Sequence, residues 1–322
     1  MNIQEILDAI AFAFMIVFPN LALMGLGFFM QRKSLINKNF IDVASKVVFN
    51  FCLPCLLFFS VIKSQVDMAA QAWLIGAGFI TTFVLFFGAE IYAKFFVPAV
   101  RDKGVFVQGV FRSNMAIISL AVASNAYGEA GTSVAAVYMG VITILYNVLA
   151  VITLSRTTQA QNFTAQARGM LGKIISNPLI IALVAAFVYQ ALALPFPPKP
   201  IARTGELLAG VALPLALICT GATLNVKSML ALSGVSMQAS IGRVVVAPLV
   251  AVVTGVAMGL PPVHFGVLFV MVASPAAAAS YVMAKSMGGN DVLAANILAF
   301  TTVVSMIGMA IGMAWLRMLG WV

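Results

Sequence analysis

The feature that most constrains this chain is a succession of long apolar runs with almost no charge inside them. Runs of about 20 such residues are long enough to cross a bilayer. In lipid they must be helical, because each backbone N–H and C=O has to find its partner within the segment. Cutting at charges and turn residues gives ten of them, at 8–31, 41–62, 71–97, 105–127, 132–155, 173–194, 205–225, 229–260, 264–287 and 292–318. Only 8% of the 322 residues are charged and 62% are hydrophobic, against about 25% charged in a soluble domain. The spans leave no room for a separate soluble domain of even about 100 residues. The chain therefore reads as an all-α polytopic membrane protein with ten transmembrane helices, acting within the bilayer.

A net charge of +9 would suggest nucleic acid in a water-soluble chain, but here the cations sit at the ends of apolar runs. Arg32, Lys33, Lys38, Lys46, Lys94, Arg101, Lys103, Arg156, Arg168, Lys173, Lys227 and Lys285 flank the odd-numbered loops. The termini and even-numbered loops hold only Lys63, Lys199, Arg203 and Arg317. Cytoplasmic loops carry the excess of Lys and Arg, so both termini are expected outside the cell inner membrane, with no nucleic-acid partner. Glu5 and Asp8 stand where a cleavable signal would carry basic residues, so the first span is expected to be retained.

The two halves echo each other. Pro19 and Pro178 stand early in spans one and six, Leu53-Pro54 and Leu213-Pro214 lie in spans two and seven, and Gly128 and Gly288 close spans four and nine. The offsets are 159, 160 and 160 residues. An odd number of spans per half makes the second half enter from the opposite face, which predicts two inverted five-helix repeats. The expected units are 1–155 and 173–322, joined by a polar cytoplasmic linker at 156–172.

Polar groups inside a bilayer cost about 2.5–3.5 kcal/mol each on insertion scales, so the few present are candidates for function. Span four opens Phe111-Arg112-Ser113-Asn114, which puts Asn114 near mid-bilayer, where it could contact a substrate or ion, or bond a neighbouring helix. Its counterpart by the repeat offset is Ser274-Pro275, the strongest helix breaker of span nine, where Pro275 removes a backbone donor. Ser280 and Tyr281 add hydroxyls there, and Ala276 to Ala279 would let another helix approach closely; a simple proline kink is the competing reading. Arg243, about fourteen residues into span eight, is expected to face the interior. It would pair with Glu90, with a backbone carbonyl or with a substrate carboxylate. Arg112, nearer an edge, is expected to snorkel at the inner mouth.

Cys52-Leu53-Pro54-Cys55 spells a redox motif but lies in an apolar span, so packing is its expected role. His264 has no second ligand at metal spacing. The sequence contains no G-x-S-x-G, H-E-x-x-H or P-loop, so the chain is not expected to be an enzyme or an ATP-driven pump, nor to need a cofactor or metal. Spans four and nine hold no carboxylate at their centres to bind a cation. Amide and hydroxyl groups there, with Arg243 and half-helix N-termini, suit an anion.

Several stretches together resemble the auxin efflux carrier family: LGFFMQRKSLINKNFIDVASKVVFNFCLPCLLFFSVI, the FRSN of span four with AYG at its end, SNPLIIALV, GRVVVAP and ASPAAAASYVMAKSMGGND. The likeness runs from Phe12 to Met313 and extends to plant PIN-type exporters and bacterial malonate-permease-like proteins. It implies a fold like the bile-acid symporters, in which helices four and nine are interrupted and cross, an elevator-type shift, and a scaffold-mediated homodimer. It also implies that Asn114 contacts a carboxylate. Ala121 and Ser280 stand where the plant members carry paired crossover prolines, which implies a less sharply unwound crossing.

The expected function is therefore secondary transport of a small organic carboxylate anion, malonate or a similar mono- or dicarboxylate. Asn114 with Ser113, Ser274, Pro275, Ser280, Tyr281 and Arg243 would form the site. A non-transporting membrane sensor and an anion channel are the rival classes. Sodium coupling, proton coupling and uniport stay open on these residues.

Overall fold

A computed structural model describes residues 3–63, 68–155, 175–231 and 234–322. The whole of the expected linker, 156–172, lies outside the described residues. Twelve helical elements follow one another: α1 (Ile3–Arg32), α2 (Lys38–Lys63), α3 (Met68–Phe96), α4 (Val100–Phe111), α5 (Met115–Leu154), α6 (Pro178–Ala191), α7 (Lys199–Ala222), α8 (Val226–Leu230), α9 (Gly234–Ala257), α10 (Pro262–Ala273), α11 (Ala278–Ser286) and α12 (Asp291–Met318).

Seven helices among the described residues are long and apolar enough to cross a membrane, against the ten runs expected. The difference has local causes. The fourth run is cut at Arg112–Asn114, and its second part joins the fifth run in the single element α5. The ninth is cut between α10 and α11. The sixth is described as a helix of 14 residues that opens at Pro178. Within α5 the chain turns at Gly128, whose φ of 60° and ψ of −143° suit a residue without Cβ. Gly288, its partner in the offset pattern, also has positive φ (75°), at the end of α11.

Two of the prolines inside helices, Pro54 and Pro248, follow widened turns. In α2 the π-turn Val48–Cys52 stands just ahead of Pro54, where an amide donor is missing. In α9 the π-turn Gly242–Val246 precedes Pro248 in the same way. Cys52 and Cys55 keep free thiols, and Cys52 is buried.

The helices pack in two connected groups. α1 lies on α7 and α12, and α2 lies on α6 and α7, while α3 packs against α4, α5, α9 and α10. The apolar core is continuous through α3, α4, α5, α10 and α12, and the residues around the two cuts are its most buried part. Exposed Leu, Ile, Val and Phe line the outer faces of α1, α3, α7 and α9, as lipid-facing helices require.

Candidate functional site

The two cuts meet. Arg112 (φ −92°, ψ 102°) and Ser274 (φ −65°, ψ 160°) are extended, and Ser113 pairs with Ala276 in an isolated antiparallel bridge. The Asn114 N–H donates to the Pro275 carbonyl (2.8 Å) and the Ala277 N–H to the Arg112 carbonyl (3.0 Å). Backbone freed at one cut is thus satisfied by the other, as irregular chain at membrane depth must be. Neighbouring helices take up most of what remains. Thr301 of α12 accepts from the Ala276 N–H (3.2 Å), and the Asn114 carbonyl accepts the N–H and hydroxyl of Ser119 (3.3 Å each).

The second cut is legible in Pro275, which has no N–H to give. The first has no proline and is held from outside. The Ser113 hydroxyl lies 3.1 Å from the Tyr146 hydroxyl of α5, and the Tyr146 ring meets Phe111 edge-on. The Arg112 guanidinium donates to Asn147 (2.7 Å), Gln108 (3.4 Å) and the Met283 sulfur (2.7 Å). Arg112 is 5% exposed, so it does not snorkel. α4 begins at Val100 rather than near 105, and twelve residues of helix carry Arg112 about 18 Å from the start of α4.

Arg243 is fully buried and donates to the Val110 carbonyl at 2.8 Å. It therefore caps the C-terminal end of α4, placing a positive charge where the helix dipole is negative. Gly242 permits this approach, since a Cβ there would stand 2.8 Å from Val110. Of the partners expected for Arg243, the structure supplies the backbone carbonyl; Glu90 accepts from Thr153 (2.6 Å). The Arg243 Nε and Nη2 atoms have no protein partner among the described residues.

Both helices leaving the crossing, α5 after Asn114 and α11 after Ala277, start without a side-chain cap. Their N-termini present unshielded partial positive charge beside two buried guanidinium groups. The Asn114 side chain is 8% exposed and makes no hydrogen bond to the protein among the described residues. Its amide therefore keeps donor and acceptor capacity for a ligand. A cavity of about 10 Å³, room for about one water molecule, lies between α4, the start of α11 and α12, among Gly109, Ala276, Ala277, Ser280 and Ile297. The Ser280 hydroxyl is buried without a partner among the described residues. Among the described residues no three His, Cys, Asp or Glu side chains gather to hold a metal ion.

The sequence-predicted residues are thus partly assembled. Ser113, Asn114, Ser274 and Pro275 form the crossing itself, and Ser280 follows within one turn of α11. The Ser274 hydroxyl turns back towards the Met271 carbonyl (3.5 Å), and Tyr281 is half-buried against the core. Sequence reasoning missed Tyr146, Asn147, Gln108 and Thr301. Each is a polar residue within an apolar run, and Gln108 lies four residues before Arg112 on the same helix face.

The sequence profile described as "Membrane transport protein" matches residues 12–313. The chain belongs to the membrane transport protein family. The match spans both cuts and every element from α1 to α12, so the crossing lies inside the region that defines the family. No curated protein matches this transporter.

Proposed function

We propose that this transporter is a secondary carrier for a small organic carboxylate anion, a malonate-like mono- or dicarboxylate, with the substrate held at the crossing. The observation that carries the reading is the Asn114 amide, almost wholly buried and without a protein partner, between two uncapped helix N-termini. Its N–H groups would donate to the carboxylate, while the helix ends and the guanidinium of Arg243 supply positive potential. Ser280 offers a hydroxyl across the small cavity. Ser113 and Ser274 spend their hydroxyls on Tyr146 and the Met271 carbonyl, so they shape the site rather than grip the ligand.

The wider reading has ten spans in two inverted halves, 1–155 and 173–322, with both termini outside the inner membrane. The positive-inside asymmetry and the paired turns at Gly128 and Gly288 support it. Alternating access of the elevator type fits two helix groups that meet near the crossing. A bacterial permease-like subtype related to the plant exporters, and a homodimer formed through the α1, α2, α6 and α7 group, complete the proposal.

Uptake of labelled malonate by the purified protein in liposomes tests it. Uptake should be saturable and accelerated by unlabelled malonate on the far side, which a channel or sensor would not reproduce. Asn114→Ala should lower uptake efficiency by about tenfold or more, the worth of one charge-assisted hydrogen bond, with expression intact. Unaltered uptake in that variant removes Asn114 from the site.

A further inference from the structure

A second feature of the molecule pairs an apolar stripe with a basic surface pocket. On α3, Phe83, Phe87, Ile91 and Phe95 recur every fourth residue and form one stripe on the outer face. Their exposure rises along it, 37%, 57%, 61% and 70%. The stripe runs into a surface pocket of about 440 Å³ lined by Glu90, Ile91, Lys94, Val100 and Lys103, where the end of α3 meets the start of α4. Among the described residues neither lysine forms an ion pair. Lys94 lies over the Phe95 ring (5.6 Å) and Lys103 donates to the Lys94 carbonyl (3.5 Å). Glu90 is drawn towards Thr153 by a 2.6 Å hydrogen bond.

We propose that this pocket binds the headgroup of an anionic phospholipid, with an acyl chain laid along the Phe87–Ile91 stripe. Two lysines and one carboxylate leave a single positive charge, which a phosphodiester of charge −1 neutralises. A basic pocket at the end of an apolar helix, on the side where cations accumulate, is where anionic lipid is attracted. The Lys94 ammonium sits 5.6 Å from the Phe95 ring centroid, and the long stem of a lysine at a helix end lets such a charge reach the headgroup level. The loop here is short, and α4 leads directly to the crossing, so a lipid in this pocket would brace the half-helix that carries Arg112. The proposal does not depend on what the crossing transports.

Native mass spectrometry of the full-length protein in detergent, titrated with phosphatidylglycerol, phosphatidylcholine or phosphatidylethanolamine, is the test. Phosphatidylglycerol should bind the native chain about 25-fold more tightly than it binds Lys94→Gln/Lys103→Gln, while phosphatidylcholine should bind both alike. If the double variant does not fold, Lys103→Gln alone should show about a fivefold loss. Short-chain phosphatidylglycerol should bind more weakly than the long-chain lipid, and inorganic phosphate should not compete. Equal binding of phosphatidylglycerol and phosphatidylcholine overturns the proposal, as does undiminished phosphatidylglycerol binding in the lysine variants. Preference for phosphatidylethanolamine would make Glu90 the recognition group, and displacement by inorganic phosphate would make the pocket a free-anion site; either also overturns it.

Discussion

The two interruptions at the crossing have the same backbone arrangement but reach it by different chemistry. At Ser274–Ala277 the cause is local: Pro275 cannot donate, and the small residues that follow let the other chain come close. At Arg112–Asn114 no residue forbids a helix. That cut is stabilised by side chains from other helices, with Asn147 and Met283 on Arg112, Tyr146 on Ser113 and Arg243 on the preceding Val110 carbonyl. One break is therefore intrinsic to its own segment, and the other is a property of the assembled bundle.

That contrast predicts unequal sensitivity to substitution. The largest effect is expected at Asn147→Leu, which takes the 2.7 Å acceptor from a buried guanidinium and should cost about 3 kcal/mol, read as a lower thermal midpoint in detergent. A midpoint within error of the native protein would show that the first cut needs no outside support. Ser113→Ala removes the hydroxyl facing Tyr146 and should cost about 1 kcal/mol. Smallest is Pro275→Ala. The second cut keeps its two backbone hydrogen bonds to the first, so the loss should stay below about 1 kcal/mol, with transport retained at more than half the native rate. Should Pro275→Ala prove more damaging than Asn147→Leu, the comparison is reversed and the proline, not the bundle, holds the crossing.

The same contrast explains what could be read from the sequence. The apolar runs, the break at Pro275 and the turning role of Gly128 are all local facts, and local chemistry announced them. No residue of the first cut announces it, because its stabilisers lie at Tyr146, Asn147, Arg243 and Met283, from about thirty to about 170 residues away. Arg112 was misplaced for a simpler reason. The boundary of its span was set at 105, and five residues of error in a helix move a side chain by about 7 Å, enough to turn a mid-membrane charge into one at the rim. Ala121 and Ser280 lie inside α5 and α11, so the two cuts at Arg112–Asn114 and Ser274–Ala277 form without a proline at either position.

The bridge between Ser113 and Ala276 is made of main-chain atoms alone. No single side-chain replacement can delete either of its hydrogen bonds, short of a proline at position 114 or 277. The centre of the molecule is thus riveted independently of the residues that decorate it. Those residues are free to vary in size and polarity, so selectivity can be retuned around a joint that itself stays fixed.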